Sequence, residues 1–356
     1  MRVVLSTPRA GWGGTATLAR SLAGGLQARG HDVVIFCKPE SEIHRSFRDH
    51  FACEPVLHGV DFPPPAILRC RQAFRRHATQ VVLSLLHMDL RLTAAAARLS
   101  GIRVVAHRAE LAPFSRLPHR RFLIDRLPHH WVANSAANRD VMLASAPWLR
   151  PQDVTMIHNG IDAEPYAAAE PAALGLHPDS IAVAYVGRLV IEKGLPELAA
   201  AWRRIAPDHP ALHLIIAGIG GYEQAFREQL GDAPRVHWLG YRRDVAAIMK
   251  AADIVVVPSW EEPFGIVALE AMAAGRPVIA TCAGGLVEVV EEGVTGRLVP
   301  ARDAGALASA IVGLAGDAEA RTRMGDAGLA RVRERFGEEA MIDAYEAVLA
   351  REASIA

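Results

Sequence analysis

Short apolar runs alternate with amphipathic stretches along most of the chain. In the first half the runs fall at 3–7, 32–37, 81–85, 103–107, 131–134 and 154–158, with helical patterns between them such as 15–29 and 90–99. The second half repeats the scheme at 181–186, 212–217, 236–239, 254–257 and 277–280. Strands alternating with helices predict parallel sheets covered by helices on both faces, an α/β chain of doubly wound type. Residues 159–178, rich in Ala, Pro and Gly, read as a connection between two such bodies. The expected organisation is a domain over 1–163, a linker over 164–178, a second domain over 179–335 and a terminal helix within 336–356. The pattern leaves open where that helix packs.

Length agrees with this division, because 356 residues exceed one ordinary compact core. The four cysteines, Cys37, Cys53, Cys70 and Cys282, form no CxxC pair, which argues against a disulfide framework and against a zinc site. No apolar run approaches the ~18 residues of a membrane span. The chain enters its first strand at once, without the longer apolar region of a signal peptide. The expectation is a cytoplasmic protein, with the inner face of the cell membrane as a place of work. Nothing points to nucleic acid.

Net charge is zero, but residues 1–165 carry +8 and residues 166–356 carry −8. A basic first half suits an anionic partner: a phosphorylated or glycolipid acceptor, or a membrane surface met by Arg69, Arg71, Arg75 and Arg76. A solvated Arg-rich face explains the same charge.

Candidate chemistry concentrates after strands. The run 181–186 is followed by Gly187-Arg188-Leu189-Val190-Ile191-Glu192-Lys193-Gly194. Two cations five residues apart on a strand-to-helix loop can straddle a diphosphate and neutralise charge that builds as a bond to its oxygen breaks. Only three of the 39 cationic residues are lysines (Lys38, Lys193 and Lys250), so a compact ammonium at 193 is itself informative. The run 254–257 leads into Ser259-Trp260-Glu261-Glu262-Pro263-Phe264-Gly265-Ile266-Val267-Ala268-Leu269-Glu270-Ala271-Met272-Ala273. A helix starting near Phe264 and Gly265 would aim its unpaired amides at the strand ends, where sugar hydroxyls or phosphate oxygens can take them. Glu262 before the helix and Glu270 on its second turn can accept hydrogen bonds from paired sugar hydroxyls. An ordinary amphipathic helix is the plain alternative, yet an unpartnered Glu270 among Ala268, Leu269, Ala271 and Met272 would be costly. In the first half, Gly11-Trp12-Gly13-Gly14 follows the first strand without the spacing of a dinucleotide fingerprint, and His107 ends the run 103–107. Asp89 and Asp162 read as helix caps or loop residues.

These residues resemble the retaining glycosyltransferases of family 4, which have the GT-B fold of two doubly wound, Rossmann-like domains facing a central cleft. Glu262, Phe264-Gly265 and Glu270-Ala271-Met272-Ala273 match the family's E-x7-E motif. Gly187-Arg188 with Lys193-Gly194 matches its diphosphate motif, and Asn159-Gly160-Ile161-Asp162, Leu239-Gly240, Pro258-Ser259 and Gly284-Gly285 with Glu288 add to the likeness. The match is specific from about 155 to 300 and loose before that.

The resemblance implies a nucleotide-diphosphate sugar as co-substrate, a UDP-sugar in preference to a GDP-sugar, with no cofactor and no metal. Arg188 and Lys193 would hold the diphosphate, Glu270 the ribose, and Glu262 with the backbone of Gly265, Ile266 and Val267 the transferred sugar. Tyr241 would lie along the base, Gly13 and Gly14 would approach the phosphates, and His107 would touch the sugar. The implied reaction moves a sugar, with retention, to a hydroxyl of a glycan, glycolipid or small molecule, as in cell-envelope polysaccharide or lipopolysaccharide synthesis.

Two readings from other classes keep the same domains. A sugar-nucleotide epimerase or phosphorylase needs acid–base carboxylates or a cofactor lysine, which find no place here. A non-catalytic sugar-nucleotide-binding subunit has no use for Gly13, Gly14 and His107. The histidines show no metal-ligand spacing, no DxD pair follows a strand, and Arg188 with Lys193 already supplies two positive charges. Turnover is therefore expected to survive EDTA, and a requirement for magnesium or manganese, restored on re-addition, would count against this site.

Overall fold

The computed structural model describes residues 1–7, 13–57, 64–87, 90–115 and 125–355. Gly11, Trp12, Asp89 and the arginines at 116, 120 and 121 lie outside the described residues. Two compact units emerge: Met1–Asn159 together with Glu338–Ala356, and Gly160–Gly337.

The first unit is built on seven parallel strands: β1 (Arg2–Thr7), β2 (Asp32–Cys37), β3 (Ala52–Glu54), β4 (Val81–Ser84), β5 (Arg103–Arg108), β6 (His130–Ala133) and β7 (Val154–Met156). Their order is β3-β2-β1-β4-β5-β6-β7, reversing direction of growth between β1 and β4. The twofold period of a strand sorts the core onto two faces. Leu5, Leu83 and Val105 meet helix Gly14–Ala28 and the terminal helix Glu338–Ser354 on one side. Val4, Val82 and Val104 meet Phe74 and Trp131 on the other.

The terminal helix, whose place the sequence leaves open, packs on this first unit. Ile342, Tyr345 and Leu349 are buried there, and Arg103 pairs at 2.6 Å with Glu352, a carboxylate only 4% exposed. The helix brings five carboxylates against Arg351 alone, lowering the charge from +10 over residues 1–159 to +6 for the unit.

The second unit contains β8 (Ile181–Val186), β9 (Leu212–Ala217), β10 (Val236–Gly240), β11 (Ile254–Val257), β12 (Val278–Thr281) and β13 (Gly296–Val299). Its parallel order is β10-β9-β8-β11-β12-β13, so the reversal falls between β8 and β11. Ligands of such sheets bind at the carboxyl ends of the strands where the order reverses.

The chain departs from the sequence expectation in three places. β3 and β13 are additional strands; both are short and lack a continuous apolar run (Ala52-Cys53-Glu54, Gly296-Arg297-Leu298-Val299). The expected strand at 131–134 lies one residue earlier, and that at 277–280 one residue later. The expected linker at 164–178 is packed structure: it opens with helix Glu164–Ala167, and Tyr166, Ala172, Leu174 and Leu176 lie against the second unit's core. Its backbone is tied in as well, by Ala172 N to Ala247 O at 2.9 Å and by Lys250 Nζ to Ala167 O at 2.8 Å. Among the described residues no helix is long and apolar enough to cross a membrane.

Candidate functional site

In the second unit the loops leaving β8 and β11 form one polar cluster. The first runs from Gly187 through the 3-10 turn Ile191–Lys193 to Gly194, the residue before helix Leu195–Ile205. Gly194 has φ 71°, and a Cβ there would lie 1.8 Å from the Pro258 carbonyl oxygen. Only glycine allows the two loops to approach so closely. Trp260 N donates to Glu192 O at 2.9 Å, joining the same two loops a second time.

This approach brings Lys193 Nζ to 2.6 Å from Glu262 Oε2, with the two side chains 23% and 14% exposed. Ser259 Oγ donates to the same carboxylate oxygen at 3.1 Å, and Gly285 N holds the Glu262 carbonyl at 2.9 Å. Trp260 anchors the loop from behind. Its indole N–H donates to Glu197 at 2.7 Å, and the Arg302 guanidinium lies 3.7 Å from its ring centroid. Arg188 is exposed, and its carbonyl accepts from the Tyr185 hydroxyl at 2.7 Å. Burial pushes the Tyr185 phenol up, with the Glu262 carboxylate adding to the effect, so it remains a hydroxyl that holds the backbone of the loop.

Helix Ile266–Ala273 begins at Gly265, whose φ of 110° belongs to glycine and whose position offers no side-chain cap. The first helical bond to Gly265 O is made by Ala268 N, which leaves the amides of Ile266 and Val267 for other partners. Glu270 lies one turn further on and accepts from the Tyr166 hydroxyl at 2.9 Å. Tyr241 follows β10 with 55% of its surface exposed.

The remaining candidates belong to the first unit. Gly13, in extended conformation (φ 171°), precedes helix Gly14–Ala28, which has no acidic residue in its first turn and no side-chain cap. His107, second to last in β5, is 4% exposed. Asp162, in the second unit, accepts from Glu164 N at 3.1 Å in the loop before helix Glu164–Ala167, whose N-cap is Ala163.

Motif reading alone misses Tyr166, Tyr185 and Glu197, which steady the site from behind. It also sets Lys193 and Glu262 against different parts of a ligand, whereas here they hold each other. Sixty-nine positions separate the pair, and no spacing rule reaches that far.

Sequence comparison agrees with the motifs. Residues 12–165 match the model of Glycosyltransferase Family 4, and residues 180–317 match that of Glycosyl transferases group 1. The chain belongs to this glycosyltransferase family. D-inositol 3-phosphate glycosyltransferase of Mycobacterium sp. (strain KMS) is 37% identical over 169 residues, 44% of this chain and 38% of that protein. Glycogen synthase of Mycobacterium tuberculosis (strain H37Rv) is 38% identical over 180 residues, 48% of this chain and 42% of that protein. The chain thus matches about two fifths of the length of these curated relatives. The crystal structure of Anabaena Alr3699/HepE with UDP and glucose superposes with a TM-score of 0.86 at 23% identity, covering 98% of this chain and 99% of that one. That likeness establishes the GT-B fold of two Rossmann-like domains.

In this family-4 chain Glu270 works against stability. Burial pushes its carboxyl up to about 7, opposed by the hydrogen bond from Tyr166. The unfolded chain, with a value near 4.5, gives up this proton first, so stability falls as pH rises from about 4.5 to about 7 and then levels. Glu270→Gln is expected to stabilise the ligand-free protein by ~2 kcal/mol at pH 8, less than the full shift because solvent screens a half-buried group. The gain should vanish by pH 4. Thermal melts of both proteins across this range measure it, and a gain independent of pH would refute the assignment.

Proposed function

We propose that the chain transfers a sugar from a nucleotide-diphosphate donor to an acceptor hydroxyl, with retention and without a metal. The observation that carries this reading is the Lys193–Glu262–Ser259 cluster at the strand-order reversal, with Arg188 exposed on the same loop. One ammonium N–H is given to Glu262, and its further N–H donors serve phosphate oxygens. Arg188 and Lys193 then stabilise the departing diphosphate as the bond from the anomeric carbon to its oxygen breaks. The acceptor oxygen bonds to that carbon on the same face, and its proton passes to the leaving phosphate. Glu262 and the amides of Ile266 and Val267 hold the sugar beside Gly265, Glu270 takes the ribose hydroxyls, and Tyr241 lies along the base. Gly13 and Gly14 offer amides to the phosphates, and His107 meets the transferred sugar. The UDP complexes of the Anabaena neighbour support a UDP-sugar. Lys193→Ala and Arg188→Ala are each expected to lower turnover by ~10²-fold or more while the fold persists. Near wild-type turnover in both variants would refute the diphosphate role.

The acceptor side is proposed to meet an anionic surface through helix Pro64–Arg76. Ala66, Cys70, Ala73 and Phe74 face the core, while Leu68 is 54% exposed alongside exposed Arg69 and Arg75. An apolar residue between outward cations suits a bilayer of anionic lipid. Arg76 is already paired, at 2.9 Å from Glu54. Wild type should sediment with anionic vesicles at low salt and dissociate as salt rises, and a variant with Arg69→Gln and Arg75→Gln should bind less. Failure of wild type to bind at low salt would make this face a solvated one.

A further inference from the structure

His107 is held by a residue 238 positions away, on the terminal helix. Its Nδ1 lies 2.7 Å from the Tyr345 hydroxyl, and Tyr345 is itself fully buried. The ring centroids are 6.3 Å apart with planes tilted by 44°, so the two meet through the hydrogen bond and not by stacking. Among the described residues the Tyr345 hydroxyl has no other hydrogen-bond partner.

Two proton arrangements fit this distance. If Nδ1 carried the proton, it would donate to the phenol oxygen and leave the buried phenol O–H with no acceptor. If the phenol donates to Nδ1, the phenol O–H and Nδ1 are both satisfied, and the imidazole proton resides on Nε2, which is not among the buried unpartnered atoms. Leaving a buried donor unmade is the costlier choice. Burial pushes the Tyr345 phenol up, so it keeps its proton, and holds the imidazole down at about 4, so the ring is neutral at physiological pH.

We infer that Tyr345 is a positioning residue that fixes His107 as its Nε2–H tautomer, making it a neutral hydrogen-bond donor to an oxygen of the transferred sugar. The inference rests on the proposed role of His107 as a sugar contact. The terminal helix is suited to the task because it is moored beyond Tyr345: Glu352 pairs with Arg103 at 2.6 Å, and Arg351 lies 3.1 Å from His130 Nδ1. Nothing in the chemistry of residues 103–108 requires this partner; the packing of the last helix supplies it.

Long-range ¹H–¹⁵N correlation on protein labelled at histidine reads the tautomer directly. The His107 ring of wild type is expected to carry its proton on Nε2 at pH 7, and in Tyr345→Phe the ring should interconvert between tautomers. With saturating acceptor, Tyr345→Phe should lower kcat about tenfold, the equivalent of one hydrogen bond, with the donor KM unchanged. The double variant with His107→Ala should be no slower than His107→Ala alone. A wild-type ring protonated on Nδ1, or a tautomer unchanged in Tyr345→Phe, overturns the inference. If Tyr345→Phe does not fold, the wild-type spectrum still decides between the two arrangements. Full turnover in His107→Ala removes His107 from the reaction, and the positioning role with it, whatever tautomer the spectrum reports.

Discussion

The contact between Gly194 and the Pro258 carbonyl is the constraint on which the candidate site depends. It exists because β8 and β11 are neighbours and parallel, so their carboxyl ends release two loops side by side. Any side chain at 194 would push those loops apart, and Lys193 would lose its place 2.6 Å from Glu262. The ion pair is thus a product of backbone approach more than its cause. A partly buried pair of this kind adds little net stability, since desolvation offsets most of its attraction. Its presence at the strand-order reversal is better explained by what it offers an incoming ligand: a cation and an anion whose positions are set beforehand, so that little ordering remains to be done on binding.

The same tension between stability and readiness appears on helix Ile266–Ala273. Its residues are apolar except for Glu270, and Ala268, Leu269, Ala271 and Met272 are buried. A sequence selected only for folding would put an apolar or amide side chain at 270. Tyr166 softens the conflict with one hydrogen bond, although burial still holds the carboxyl near neutrality. A local rule broken in this way, with partial compensation from elsewhere in the fold, is characteristic of functional positions. The partner comes from the stretch expected as a linker. That stretch therefore touches the candidate site through Tyr166, and its apolar residues pack on the second unit's core.

Much of the fold was legible because parallel strands buried under helices announce themselves as apolar runs, and the polar cluster was legible because its residues sit directly after such runs. What escaped were features with no local signature. β3 is three residues long at the sheet edge, and β13 carries Arg297 among its four residues, so neither makes an apolar run. The terminal helix shows a helical pattern, but the partners that place it, Arg103 and His107, lie more than 200 positions earlier. Lys193 and Glu262 were each picked out by motif, while their mutual contact depends on strand order, which alternation alone does not fix. Tyr345 had no signal at all, being one aromatic residue among the apolar positions of a helix.

Strand order does not by itself say which unit should handle which substrate, because both sheets reverse at their fourth strand in the same way. The side chains beyond the strand ends separate them. The loops after β8 and β11 present Arg188, Lys193, Glu262 and Ser259, a set able to bind both a diphosphate and sugar hydroxyls. Among the described residues the candidates at the strand ends of the first unit are Gly13 and His107, a backbone amide and one neutral imidazole, with the buried Arg108 ending β5 beside His107 and Lys38 following β2. The unit carries a net charge of +6, with Arg29 and Arg103 already paired to the terminal helix. The cations outside such pairs, Arg69 and Arg75 among them, are the ones left to meet an external anion. This distribution is why the donor is proposed for the second unit and the anionic acceptor for the first, even though the two sheets share one topology.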